Sequence, residues 1–163
     1  MKLQLALDVT DIDQGLKLVE QTKDFVDVFE LGTGFMGTHG YGLVKIFRDA
    51  FPDIQILADT KIVDGGYGTS KTLFELGADY STVVGYGDDA TLGGAVQACE
   101  EAGPGHYAMA DLMHMHDYNE HQPKIDRLGV QWVCVHTAVD SEGIDGAATF
   151  EEVLELITKT KFK

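Results

Sequence analysis

Short apolar runs alternate with helix-spaced stretches along the chain. The runs are Leu3–Leu7, Phe25–Leu31, Ile54–Ala58, Tyr80–Val84, Tyr107–Leu112 and Trp132–Val135. Each is rich in Val, Ile, Leu or aromatic residues and apolar on both faces, the pattern of strands in a parallel sheet covered on both sides. Between them, apolar residues recur at three- and four-residue spacing, as in Leu16 and Val19 or Ala95, Ala98 and Ala102. Gly77, Gly103 and Gly129 follow such stretches as helix C-caps, and Asp11 and Thr149 are candidate N-caps. A final helix is expected from about Phe150 to Thr160. The pattern predicts six β-α units, hence a parallel sheet with right-handed crossovers. An open doubly wound sheet and a (β/α) barrel both satisfy it. Barrels usually need eight units and about 250 residues, so counting alone favours the open sheet.

Composition narrows the function classes. With 163 residues the chain is expected to form one domain. It carries 27 acidic and 12 basic residues, a net charge of -15, and its two arginines are Arg48 and Arg127. A basic face is absent, which argues against nucleic acid and an anionic membrane surface as partners. The acidity reads as a solvated surface. The start of the chain reads as a strand rather than a signal peptide, and no apolar run is long enough to span a membrane, so a cytoplasmic location is expected. Cys99 and Cys134 match no zinc or redox spacing and read as small buried hydrophobes of a reducing compartment.

In parallel α/β folds, chemistry gathers at the carboxyl ends of the strands. There this chain places Asp8, Glu30, Asp59 with Lys61, Asp111 and His136, from five different strands. The densest segment is Ala58–Gly66, ADTKIVDGG. In extended geometry Asp59 and Lys61 point the same way, and Asp64 follows after the turn. A lysine held between carboxylates stays cationic and can stabilise an oxyanion or deliver a proton; the same cluster could be a structural ion pair. Glu30 and Asp59 are hard oxygen donors on neighbouring strands and suit Mg²⁺. Zinc is less expected, because His136 shows no clear nitrogen or sulfur companion in the sequence. His114 and His116 could bind a metal or lie on a solvated loop. Gly32–Gly37 reads as a mobile glycine-rich loop after the second strand. Gly85–Asp89 reads similarly, with Asp88 or Asp89 capping the next helix.

Five stretches, LQLALD, VDVFELGT, FPDIQILADTKIVDGG, ELGADYSTVVGYGDDATLGGAV and LGVQWVCVHTAVD, resemble the orotidine-monophosphate-decarboxylase superfamily. They are most similar to its 3-hexulose-6-phosphate synthases, which stand beside the 3-keto-L-gulonate-6-phosphate decarboxylases. The decarboxylase pattern has an arginine three residues after the histidine, where this chain has Val139. The resemblance covers nearly the whole chain and replaces the open sheet with an α/β TIM-type (β/α) barrel. That barrel is expected as a single domain over 1–163, truncated to about six β-α units and lacking the last two.

The resemblance also implies roles and partners. Glu30 and Asp59 would bind Mg²⁺, Lys61 would stabilise an enediolate, Asp8 would orient the lysine, and His136 would transfer protons. Asp111 matches an acidic position ending the fifth strand, and Asp64 would serve a partner subunit's site in a homodimer. The implied reaction is aldol addition of formaldehyde to D-ribulose 5-phosphate, with a sugar phosphate as the substrate class. Alternatives are a Mg²⁺-dependent decarboxylase of a sugar-acid phosphate and a shortened, non-catalytic homologue with a binding role. Departures from the family pattern are the GTGFMGTHG stretch, His121 and MHMHD, and the loops that usually hold phosphate in such barrels are expected to be missing with the last two units.

Overall fold

The computed structural model describes residues 2–113 and 118–141. Six strands, β1 (Gln4–Leu7), β2 (Val28–Leu31), β3 (Gln55–Ile62), β4 (Tyr80–Val84), β5 (Tyr107–Asp111) and β6 (Trp132–Cys134), form one parallel sheet in sequential order. The helices are α1 (Ile12–Thr22), α2 (Thr33–His39), α3 (Gly42–Ala50), α4 (Gly66–Glu75), α5 (Asp89–Ala102) and α6 (Tyr118–Arg127). Val139–Ser141 adds a 3-10 turn.

Sequential order throughout is barrel topology; a doubly wound sheet reverses direction at a switch point. The sheet also curls. Lys2, just ahead of β1, donates to Gln55 on β3 at 2.6 Å and to Tyr80 on β4 at 3.4 Å. Tyr80 and Trp132, two strands apart, bring their ring centroids to 6.0 Å. Such contacts across intervening strands require a concave face.

The two faces have different jobs. Leu7, Phe29, Leu31, Ile56, Ala58, Val83, Ala108 and Ala110 point outward and pack with Val19, Phe35, Phe47, Leu73 and Leu92 of the helices. On the concave face Val28, Leu57, Tyr80 and Met109 form a smaller apolar layer with Tyr107 and Trp132.

Several elements differ from the sequence expectation. Gly32–Gly37 is not a mobile loop: Thr33–His39 is helix α2, and it buries Phe35 and Met36 in the core. The glycines obscured a helix whose formation is driven by that packing. β2 starts at Val28, leaving Phe25 78% exposed. β3 runs four residues beyond Ala58, so Asp59 and Lys61 lie inside the strand. The C-cap glycines behave as expected, with Gly77, Gly103 and Gly129 at φ of 105°, 90° and 78°. Asp11 caps α1, its carboxylate accepting the Gln14 N–H at 2.8 Å. Asp88 stands at the N-cap of α5 without a side-chain bond, and Asp89 pairs with Arg127 instead. Thr149 and the expected helix over 150–160 lie outside the described residues.

Glycine also sets how α4 meets α5. A Cβ on Gly66 would overlap the Thr91 carbonyl, and one on Gly94 would crowd the Tyr67 N–H. The helices therefore approach backbone to backbone. The preceding Gly65 takes the left-handed conformation at φ 67° that starts α4. The two glycines of ADTKIVDGG thus shape the exit from the site strand.

Candidate active site

Strand alternation places the polar residues above the concave apolar layer. Residues two apart share a face. Above Val28 comes Glu30, above Leu57 come Asp59 and then Lys61, and above Tyr80 comes Thr82. Above Met109 comes Asp111, and above Trp132 come Cys134 and His136. Parallel strands present their carboxyl ends together, so these groups converge at one end of the curl.

The centre is an ordered β3–β4 junction. The register slips between Ala58 and Ile62, and Lys61 occupies the left-handed region at φ 44°. That conformation is costly for a side-chain-bearing residue and marks a site held by its surroundings. The holder is Thr82. Its Oγ accepts the Lys61 backbone N–H at 2.9 Å and donates to Asp59 Oδ1, also at 2.9 Å. Asp59 Oδ2 accepts from the Thr33 hydroxyl at 2.6 Å and from the Lys61 ammonium. The ammonium also donates to Thr33 Oγ at 2.8 Å, which closes a three-residue ring. Asp59 is 4% exposed. Burial pushes its carboxyl upward, but the bonds from Lys61, Thr33 and Thr82 outweigh this and leave it below its ordinary value. It is therefore a fixed anion.

A second carboxylate faces the same lysine. Asp111, 1% exposed, lies 3.8 Å from Lys61 Nζ. Its Oδ1 accepts the Met113 N–H at 2.8 Å, and its Oδ2 stands 2.9 Å from His136 Nδ1. A carboxylate only accepts, so this bond puts the hydrogen on Nδ1 and leaves Nε2 as the working nitrogen.

The same fold and sequence pattern recur in known enzymes. The family model of orotidine 5'-phosphate decarboxylase / HUMPS matches residues 1–163. The chain belongs to this family. It is 38% identical to a 3-hexulose-6-phosphate synthase of Bacillus subtilis over 99% of this chain and 75% of that protein. The solved 3-hexulose-6-phosphate synthase of Salmonella typhimurium superposes with a TM-score of 0.91 at 31% identity, over 99% of this chain and 75% of the other. A 3-keto-L-gulonate-6-phosphate decarboxylase of Vibrio cholerae superposes at 0.81 with 25% identity, over 94% and 71%. These relatives establish the TIM-type fold and the enzyme class, a lyase like the hexulose-6-phosphate synthases. The chain spans about three quarters of their length.

Within this family frame, Glu30 and Asp8 complete the acidic side. Burial, then the charge of Asp59, raises the Glu30 carboxyl, and Asp8 adds to the rise. Gln4 donates to one Glu30 oxygen. Asp8 is exposed and lies against Gly32, where a Cβ would overlap its Oδ1. In this structure the partners that hold Lys61 are Asp59, Thr33 and Asp111. Asp64 is exposed, its Oδ1 accepting the Gly65 N–H at 2.7 Å, and it lies outside that network.

Three positions at the candidate site lie outside the sequence expectation. Thr82 sits within the apolar run YSTVV, where a hydroxyl in a buried strand was the available signal. Thr33, two residues beyond the end of β2, opens α2 at the level of the other strand ends. Cys134 was read as a buried hydrophobe, yet it is half-buried on the concave face. Its Sγ, Asp111 and His136 offer ligand atoms within 4.8 Å of one another. His136 therefore has the sulfur companion that the sequence did not reveal, because a cysteine and a histidine two residues apart match no familiar metal spacing.

Both arginines serve the scaffold. Arg48 donates to the Gly77, Pro52 and Ile54 carbonyls and pairs with Asp79 at 2.7 Å, while Arg127 pairs with Asp89. His121 lies on α6, and Val139 is 74% exposed. His114 and His116 lie outside the described residues. No helix of the described residues is long and apolar enough to cross a membrane.

Proposed function

We propose that this chain catalyses aldol addition of formaldehyde to D-ribulose 5-phosphate, giving a hexulose 6-phosphate through an enediolate. The observation that carries the reading is Lys61, whose ammonium stands between two buried carboxylates on the concave face, with His136 bonded to one of them. The synthase relatives supply the reaction class, and the lysine supplies the charge that an enediolate needs.

Asp59 and Thr33 hold the Lys61 ammonium toward the space above the sheet. There it stabilises negative charge as it develops, the role of a preorganised positive group in a water-poor site. Asp111 fixes His136 through Nδ1, so Nε2 can take the proton from the ketose carbon beside the carbonyl. That carbon then bonds to formaldehyde, and the former aldehyde oxygen takes up a proton. In this structure the orienting work falls on Asp59 and Thr33 more directly than on Asp8. Asp8 instead extends the acidic rim beside Glu30.

The donor set fits Mg²⁺. Glu30 and Asp59 offer hard oxygens on adjacent strands, and the raised Glu30 carboxyl marks a repulsion that a bound cation relieves. When bound there, Mg²⁺ supplies countercharge for the substrate's oxygens. Asp64, exposed and outside the chain's own network, is proposed to serve a partner copy in a homodimer. Exposed apolar Val63, 67% accessible beside it, accords with a surface covered in such an assembly.

The test is formaldehyde consumption with ribulose 5-phosphate and Mg²⁺. Turnover is expected to need all three. Release of carbon dioxide from a keto-gulonate 6-phosphate without formaldehyde consumption would favour the decarboxylase instead.

A further inference from the structure

We propose that Asp111, Cys134 and His136 form a second metal site, distinct in donor chemistry from Glu30 and Asp59, that takes a thiophilic divalent cation such as Zn²⁺. Three different donor types converge there: a carboxylate, a thiol and an imidazole, with all ligand atoms within 4.8 Å of one another. Zinc sites of the catalytic type use three protein ligands of such kinds and leave a fourth position open, with metal–ligand distances of about 2.0–2.3 Å. His136 Nδ1 lies 2.9 Å from Asp111 Oδ2, so ligation through that nitrogen replaces their hydrogen bond and moves the ring hydrogen to Nε2. The oxygen-only pair Glu30 and Asp59 suits Mg²⁺, whereas thiolate and imidazole select softer ions.

Binding replaces the thiol proton of Cys134, which passes to solvent. Three neighbouring carboxylates favour the incoming cation, and the Lys61 ammonium, 3.8 Å from Asp111, opposes it. The other cysteine is a natural control: Cys99 is buried in α5, and its thiol donates to the His106 carbonyl.

Ligation would also engage His136, so a consequence for turnover rests on the function proposed above. The experiment titrates the Mg²⁺-loaded protein with Co²⁺ as a spectroscopic probe and then competes it with Zn²⁺. The expected result is tetrahedral ligand-field absorption with a thiolate-to-cobalt charge-transfer band, both bleached by Zn²⁺. Cys134→Ser removes the charge-transfer band and weakens Zn²⁺ by about 100-fold, the upper end of the loss seen even for outer-shell changes. Cys99→Ser leaves both unchanged. Absence of a charge-transfer band in the wild type overturns the site whether or not the Cys134 variant folds. So does a band lost in Cys99→Ser and kept in Cys134→Ser. Turnover is expected to fall in step with Zn²⁺ occupancy. Full turnover by the zinc-loaded protein would leave the site standing and remove His136 from the proposed chemistry.

Discussion

Thr82 on β4 donates to Asp59 on β3 at 2.9 Å, at the point where the register between these strands slips. The same hydroxyl accepts the backbone N–H of Lys61. One buried side chain, 2% exposed, thus fixes both the anion that holds the lysine and the left-handed backbone that aims it. Thr82→Val keeps the shape and deletes both bonds. It should destabilise the protein by about 1–3 kcal/mol, the cost of leaving buried polar groups unpaired. It should also lower kcat more than it raises KM, because Lys61 loses its aim while the substrate-binding surface stays. Denaturant midpoints with steady-state kinetics check this; an unchanged kcat would detach Thr82 from the site.

Glu30 and Asp59 respond to pH in opposite directions. Glu30 is raised by burial and by Asp59, so the native state keeps its proton to higher pH than the unfolded chain. Its contribution to stability is lost as pH rises from the ordinary glutamate value through the raised one. Asp59 is lowered on balance, because its three hydrogen bonds outweigh burial. Its contribution is present above the ordinary aspartate value and lost as pH falls through the lowered one. Glu30→Gln removes the charge that repels Asp59. In metal-free protein at pH 7 it should raise Tm by about 2–4 °C, corresponding to about 1 kcal/mol. The same substitution should abolish the rise in Tm that Mg²⁺ gives the wild type. Thermal unfolding with and without Mg²⁺ is the measurement, and a variant that is still stabilised by Mg²⁺ would place the ion elsewhere.

Two glycines near the site should respond differently to alanine. At Gly32 the added methyl meets the end of the exposed Asp8 side chain, which can swing away. Gly32→Ala should leave stability within about 1 kcal/mol and reduce turnover by displacing Asp8. At Gly66 the methyl meets the Thr91 backbone, which cannot move without separating α4 from α5. Gly66→Ala should cost about 3 kcal/mol or more, in the range of overpacking and backbone strain. Equal losses of stability in the two variants would refute the distinction.

Much of this was legible in the sequence, for identifiable reasons. Buried strands are apolar whatever their neighbours, so all six were visible as runs, and Gly77, Gly103 and Gly129 marked where helices ended. Counting units could not distinguish an open sheet from a curled one. Curl follows from strand tilt and the stagger of register between strands, it shows in contacts such as that of Lys2 with Tyr80, and no local pattern encodes it. The family motifs supplied it instead. The charged residues were found because a charge at a strand end is conspicuous. Thr82 and Cys134 were not, since a hydroxyl and a thiol in an apolar run look like strand formers. Lys61 was expected to extend like its neighbours; its φ of 44° arises from a bulge fixed by Thr82, a residue 21 positions away.

In the proposed reaction Lys61, held by Asp59 and facing Asp111, stabilises an enediolate. The direct measurement is proton exchange at the carbon beside the ketone of ribulose 5-phosphate in D₂O with Mg²⁺ and no formaldehyde, followed by NMR. Deuterium incorporation is expected with the wild type, and a loss of about 10²–10³-fold in Lys61→Ala, the cost of removing one preorganised charge-stabilising group. Exchange at the same rate in Lys61→Ala, or none with wild-type protein that consumes formaldehyde, would contradict it.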